Sequence, residues 1–457
     1  MIGEPGTRDR DILLTTLPDR TMVTKACPYD HESNGLTDHE RCFVRNRNTL
    51  RKNVAVTGIG MICPVGLSTN ECWTNFTDGN SGVRRITRFD VARFPTKIAG
   101  QLPDEYFGLV ADNFPGWSYH SVAPAHLCIL TAREALRDAR WDDAAYSKHG
   151  TAVFTGCNGY LSEDQVLIKD QISELPHKKA FMRDSIPASV SRKFAFDGPS
   201  INIAAACAAG GFAVALGVDY VTKTSSPCLA IGVDALLCAD GISDFGRLAI
   251  LSVENEYPQR ASRPFEKNRT GFVLSEGACA LLLEPAKKAL IRGARIYAVV
   301  TGVALRSEAH SIVAPEPEGF EMARVMESAI HNAGTPKANI GYINAHGTST
   351  PNNDLAETRA IKRVFGKNAY NVPVSSQKSM IGHAIGGSGA IQTGVTALSL
   401  FHQVLTPTIN YDEPDPECDL DYVPNRSRKM TSLEAAIINS FGFGGHNCAI
   451  VLEKADV

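Results

Sequence analysis

The chain has 457 residues, enough for two ordinary domains or one large layered body, and 44% of them are hydrophobic. Its 46 basic and 49 acidic residues leave a net charge of -3, which excludes a partner recognised through a global basic surplus, whether nucleic acid or an anionic membrane face. The longest apolar run, around Ile203 to Val218, is too short and too glycine-rich to cross a bilayer.

Twelve cysteines are scattered along the chain with no CxxC pair and no signal peptide, a pattern that suits a reducing cytoplasm better than a disulfide framework. Residues 1–52 mix acids and bases without apolar periodicity and read as a mobile extension. Asp9, Asp11, Asp19, Asp30, Glu32, Asp38 and Glu40 argue against a transit peptide, which is poor in acids. Cys27, His31, His39 and Cys42 are zinc-type ligands, but their spacing fits no standard finger, so no metal is expected.

From Val54 onward strand-like apolar runs alternate with helical patterns, the mark of an α/β architecture. "AVTGIGM" (55–61) is echoed by "VVTGVAL" (299–305), and "CALLLEPA" (279–286) by "CAIVLEKA" (448–455). An opening and a closing strand thus occur twice, which divides the chain into two similar halves, 53–295 and 296–457. In such bodies the site is expected where the halves meet.

In "INIAAACAAGGFAVALG" (201–217) a β-branched run meets a small-residue helix at Cys207. A strand-turn-helix elbow sets a side chain at a helix N-terminus, where free N–H groups favour an anion, so a thiol there is expected to lose its proton more readily and act as a nucleophile. The small residues are expected to let backbone and a bound acyl group approach the sulfur. The competing reading is a buried structural cysteine. Two loops bear on the choice: "YINAHGTSTPNND" carries His346, and "VPVSSQKSMIGHAIGGSGA" carries His383 five residues after Lys378. Each histidine follows an apolar run and is flanked by glycines and hydroxyls, which suits one shared pocket. "NSFGFGGHN" (439–447) lacks the Lys-Ser/Thr of a phosphate loop and fits a loop offering N–H groups to an oxyanion, with an aromatic gate.

Together with "VAVTGIGMICPVG" and "SRPFEKNRTGFVLSEGACALLLE" (262–284), these segments resemble the β-ketoacyl-[acyl carrier protein] synthases of the thiolase superfamily, over almost everything from Val54 to the C-terminus. The resemblance implies a five-layered αβαβα thiolase fold, usually a homodimer, acting without metal or organic cofactor. It implies that Cys207 is the acylated nucleophile, that His346 and His383 act on a malonyl thioester, and that Lys378 orders the second histidine. Thr348 and Thr350 would contact the pantetheine arm of the carrier, Asp354 and Glu357 would hold the acidic positions after the first histidine, and Phe443 would be the gate. The backbone N–H groups of Cys207 and Phe443 would form the oxyanion hole. The implied reaction is decarboxylative condensation of an enzyme-bound acyl group with malonyl-[acyl carrier protein], in fatty acid or polyketide synthesis. The alternative is a catalytically silent partner subunit, although such subunits typically lack the nucleophile.

Three departures qualify the resemblance. Gln392 stands where the family usually has glutamate, so Lys378 leans on Glu357 or Asp354, or the amide offers a comparable bond. The stretch 116–132 lacks the basic residues that usually meet the acidic carrier, leaving Arg263, Lys267 or Arg269 as candidates. Asn158, with Tyr160 beside it, aligns with the floor of the acyl pocket. If its amide faces the acyl chain without a partner, it disfavours a long saturated substrate; otherwise it points away.

Overall fold

The computed structural model describes residues 54–114, 122–141, 149–159 and 185–455. The extension over 1–52, with its Cys27, His31, His39 and Cys42, and the pocket candidate Tyr160 lie outside the described residues.

Among the described residues ten strands join in one mixed sheet: β1 (Val54–Ile62), β2 (Ala152–Gly156), β3 (Ser200–Ile203), β4 (Cys228–Ala235), β5 (Glu276–Pro285), β6 (Ala298–Ser307), β7 (Ile340–Asn344), β8 (Val374–Ser375), β9 (Ala435–Gly442) and β10 (His446–Glu453). Their order is β3-β2-β4-β5-β1-β6-β10-β9-β7-β8. Adding five to a strand number on one side of the centre names the strand equally far out on the other. Pairing senses match too: β1–β5, β5–β4, β6–β10 and β10–β9 are antiparallel, whereas β4–β2, β2–β3, β9–β7 and β7–β8 are parallel. The echoing sequence segments fall in β1 and β6 at the centre, and in β5 and β10 beside them. β1 and β6 meet through only three residue pairs, Val54 with Val300, Ala55 with Val299 and Val56 with Ala298.

Six helices complete the layers: α1 (Pro124–Asp138), α2 (Ser185–Phe194), α3 (Ala209–Thr224), α4 (Phe320–Ala333), α5 (Pro351–Phe365) and α6 (Ser388–His402). Because side chains alternate along a strand, each sheet residue faces one of two cores. Leu281 and Leu283 of β5 join α3 and α6 in a central core with Ile438 and Ile450 from the far side of the sheet. Ala280 and Leu282 turn the other way, onto Leu127 and Leu130 of α1. On the far side Ile437 and Val451 face Met326 of α4 and Ile361 of α5. The stack therefore runs helix, sheet, helix, sheet, helix, the expected five layers. Near-continuous apolar strands are what burial on both faces requires.

The small residues after Cys207 take their meaning from the central layer. A Cβ on Gly210 would come within 2.4 Å of the Gly386 carbonyl, and one on Gly389 within 2.4 Å of the Gly211 nitrogen. Glycines therefore let the start of α3 touch the start of α6, whose lead-in loop carries His383. Close backbone approach is thus one reason for the glycines here. Among the described residues no helix is long and apolar enough to cross a membrane.

Candidate active site

Cys207 lies just past the end of β3, in a single 3-10 turn, Ala206–Ala208, that runs into α3. Ala206 holds a left-handed backbone, φ +47°, a strained choice for a residue with a Cβ. Its carbonyl accepts the side-chain amide of Asn158 at 2.9 Å. That amide also donates to the buried carboxylate of Asp234 at 2.9 Å, and Asp234 further accepts the backbone N–H groups of Asn158 at 3.1 Å and Gly386 at 2.7 Å. Asn158 thus braces the turn that carries Cys207. Its amide has two protein partners, so of the two alternatives the sequence leaves open the second holds: the side chain points away from the acyl chain and gives no ground for excluding a saturated one.

Close backbone approach completes the turn. A Cβ on Gly442, at the end of β9, would lie 2.9 Å from the Ala205 carbonyl and 3.2 Å from the Cys207 nitrogen. Glycine here brings the next residue, Phe443, over the thiol, and the N–H groups of Phe443 and of Cys207 itself face the sulfur. Gly444, at φ +77°, lets the loop reverse, and its N–H is anchored on the Ile312 carbonyl at 2.8 Å. Phe443 is half-buried and lines the cavity mouth.

Cys207 is 5% exposed. Burial pushes it up to about 11, against the pull of the Lys378 ammonium and of the Phe443 N–H, while Asp234 adds to the rise. Net acidification by the helix end, expected from the sequence, does not result in the free protein, because desolvation of the thiolate outweighs it.

His346 follows β7 and His383 follows β8, so both come from the carboxyl ends of parallel strands, where α/β sheets place ligands. Cys207 Sγ and one ring nitrogen from each histidine all lie within 4.8 Å of one another, and the rings meet edge to face at 5.4 Å. His383 Nδ1 lies 3.0 Å from Ser388 Oγ and accepts the Ile385 N–H at 3.2 Å. An accepting Nδ1 leaves the proton on Nε2, which has no hydrogen-bond partner among the described residues. Burial, aided by the Lys378 charge, holds both histidines well below 6.5, so both are neutral at pH 7.

The first histidine is fixed through its backbone. Glu357 of α5 accepts the N–H groups of His346 and Gly347, each at 2.8 Å, and the Asn439 amide at 2.9 Å. Asp354, one helical turn earlier, accepts the Thr348 N–H at 3.0 Å and the Phe265 N–H at 2.8 Å. These two carboxylates in the first turns of one helix clamp the loop that leads into it. Thr348 and Thr350 share a hydroxyl bond of 2.8 Å and line the cavity.

Lys378 donates to the His346 carbonyl at 2.6 Å and to Gln392 Oε1 at 3.0 Å. Its ammonium binds the first histidine's backbone, whereas the ring of His383, which the resemblance has it ordering, is held by Ser388 and Ile385 instead. Neither Glu357 nor Asp354 bonds it directly; the Gln392 amide is the side-chain partner. Gln392 Nε2 in turn donates to Ala345 O at 2.7 Å, Asn344 Oδ1 at 3.1 Å and Asn439 O at 3.2 Å. Burial brings Lys378 down to about 8, against the opposing pull of Glu357.

A cavity of about 420 Å³ reaches Cys207, His346, His383, Thr348, Thr350 and Phe443. Asn158 does not line it, and the sequence reading missed Asp234, Ser388 and Asn439. Asp234 had a signal: an acid ending the apolar run "CLAIGVDA" must find several donors if that run is buried. Each basic residue offered for carrier docking is in an ion pair: Arg263 lies against Glu266, exposed Lys267 against Glu413, and buried Arg269 between Asp354 and Asp415.

Residues 51–289 match the family model of the beta-ketoacyl synthase N-terminal domain, and residues 297–412 that of its C-terminal domain. The 3-oxoacyl-[acyl-carrier-protein] synthase 2 of Synechocystis sp. is 36% identical over 418 residues, covering 89% of this chain and 99% of the relative. The tetracenomycin polyketide synthase ketoacyl synthase alpha subunit of Streptomyces glaucescens is 36% identical over 419 residues, covering 88% and 97%. Among solved structures, a type II polyketide ketosynthase in complex with its acyl-carrier protein and bound to the hexaketide superposes with a TM-score of 0.77 at 31% identity, over 89% of this chain and all of that one. The ishigamide ketosynthase/chain length factor gives 0.76 at 30% identity, again over 89% of this chain. With one cysteine and two neutral histidines converging on one cavity in a thiolase-type fold, and with family models spanning most of its length, the chain belongs to the β-ketoacyl synthase family.

Proposed function

We propose that the protein is a condensing acyltransferase that joins an enzyme-bound acyl group to malonyl-[acyl carrier protein] with loss of carbon dioxide. The observation that carries this is the convergence of the Cys207 sulfur with ring nitrogens of His346 and His383 within 4.8 Å in an accessible cavity. In the first half-reaction the Cys207 sulfur attacks a carrier thioester, the acyl group moves to the sulfur, and the carrier leaves as its thiol. The N–H groups of Cys207 and Phe443, which face the sulfur, are assigned to the tetrahedral oxyanion. In the second, malonyl thioester loses carbon dioxide and its enolate oxygen takes hydrogen bonds from neutral histidines, His383 through Nε2–H. Such donors are worth about 3 kcal/mol each in acyl transfer. The enolate carbon attacks the acyl-cysteine, the C–S bond breaks, and the sulfur takes up a proton.

Thr348 and Thr350 are assigned to the pantetheine arm because their hydroxyls line the way in. Phe443 is assigned as the gate, Lys378 and Gln392 as supports of His346, and Asp354 and Glu357 as clamps of its loop. The two sides of the sheet, 53–295 and 296–457, are read as copies of one unit, supported by their matched strand order and by family models that meet between 289 and 297. A homodimer is proposed through β3, whose Ile201 is 47% exposed and which pairs, among the described residues, with β2 alone. Fatty acid and polyketide pathways both fit, as does a cytoplasmic setting. A silent partner subunit is disfavoured, because its nucleophile position would have no reason to keep a thiol.

Intact mass after exposure to a panel of acyl-carrier thioesters, followed by malonyl carrier, tests the reading. An acyl adduct absent from Cys207→Ala and discharged with carbon dioxide release is expected. No adduct with any donor would overturn it.

A further inference from the structure

We propose that Cys207, His346 and His383 also form a binding site for a soft divalent cation, Zn²⁺ foremost, whose occupancy switches the condensing centre off. One thiol and two imidazoles are ligands of the kind zinc takes from proteins. All three side chains are buried, and their donor atoms lie within 4.8 Å of one another. Zn–S and Zn–N bonds at tetrahedral angles need donors about 3.4–3.6 Å apart, so closure of roughly 1 Å completes the site. Among the described residues His346 Nδ1 and His383 Nε2 have no hydrogen-bond partner, so neither ring is held there by a bond at those atoms.

The surroundings supply an entry route and a second layer of support. The 420 Å³ cavity opens onto all three residues and leaves a fourth coordination position for water. When His383 binds through Nε2, its proton moves to Nδ1 and is donated to Ser388 Oγ, already 3.0 Å away. The Ile385 N–H, now 3.2 Å from Nδ1, loses its acceptor. That loss and the Lys378 charge weaken the site, which is therefore reversible rather than structural. Binding releases the Cys207 proton to solvent and forms an S–Zn bond without any change of oxidation state. The sulfur lone pair and the histidine N–H are then committed, and acyl transfer has neither nucleophile nor oxyanion donor.

The test uses the full chain, stripped with chelator, and needs no acyl substrate, so its outcome is separate from that of the proposed reaction. Titration with Co²⁺ should give a thiolate-to-cobalt charge-transfer band in the near ultraviolet and tetrahedral bands in the visible, both displaced by Zn²⁺. The bands should vanish in Cys207→Ala and persist in Cys27→Ser/Cys42→Ser. One equivalent of Zn²⁺ should slow iodoacetamide alkylation of Cys207, followed on its own peptide, at least tenfold, with recovery on adding chelator. Bands that survive Cys207→Ala, or alkylation of Cys207 unchanged by Zn²⁺, would overturn the proposal.

Discussion

Asp234 and Asn158 are joined twice: the buried carboxylate accepts the Asn158 backbone N–H at 3.1 Å and its side-chain amide at 2.9 Å. Since the same carboxylate takes the Gly386 N–H, one group holds the turn beneath Cys207 and the loop after His383 in register. Asp234→Asn replaces an acceptor of several N–H groups with a side chain that is half donor. Each buried donor left unpaired costs about 1–3 kcal/mol. The variant should unfold at lower temperature and acylate Cys207 at least tenfold more slowly, as followed by intact mass; acylation at the normal rate would show that the turn holds itself.

The histidines titrate far below neutrality because burial disfavours their charged forms. Malonyl decarboxylation by the acylated enzyme should therefore be flat from pH 6 to 7, below the range in which Lys378 loses its proton and without the limb near 6.5 that an ordinary imidazole gives. Carbon dioxide release across that range is the measurement.

Alkylation of Cys207 probes the thiol directly. With its ionisation pushed up to about 11, the iodoacetamide rate in the free protein should climb through pH 9 without levelling. A plateau below pH 8.5 would mean that the helix end prevails over burial.

Lys378 links pH to stability in the opposite sense from a paired lysine. Its folded value of about 8 lies below the ordinary 10.5. Below pH 8 both folded and unfolded chains carry the proton and the cost of burying it is constant. Between about 8 and 10.5 the unfolded chain alone binds it, so this contribution makes stability rise with pH. Urea unfolding at pH 7.5 and 9 in a Cys207→Ala background, which removes the opposing thiol, should show that rise, and Lys378→Met should abolish it.

Gln392→Glu tests the amide itself. Its nitrogen donates toward three oxygens, at 2.7, 3.1 and 3.2 Å, and a carboxylate oxygen there would face acceptors alone. Attraction to Lys378 offsets part of this. A net loss of about 1–3 kcal/mol in urea unfolding is expected, and a gain would place the balance with the ion pair.

Much of this was legible in the chain. Strand-like runs alternating with helical patterns gave the α/β class and their echoes the two halves, the five layers came from the family resemblance, and Cys207, His346 and His383 stood out because each ends an apolar run in a loop of small residues. The supports were harder to see. Asp354 and Glu357, three apart at the start of α5, share a face by helical spacing alone, but that they clamp the loop before them depends on how the chain folds back. Asn158 looked like a pocket residue because alignment gives position without direction, and its amide is aimed at Ala206. The thiol's ionisation was misjudged because a helix N-terminus is visible in sequence and the depth of burial is not.

The three rungs between β1 and β6 are a short seam for so wide a sheet. What fastens Cys207 to the histidines is the glycine contact between α3 and α6 together with the Asp234 carboxylate that bridges the two loops, a joint without a backbone ladder across it. Such a joint has no graded response: a slip that leaves both sets of strands fully zipped still parts the sulfur from the imidazoles. In mild denaturant, turnover should therefore fail while the β-sheet signal in circular dichroism is intact, making catalysis the most sensitive gauge of the molecule's middle.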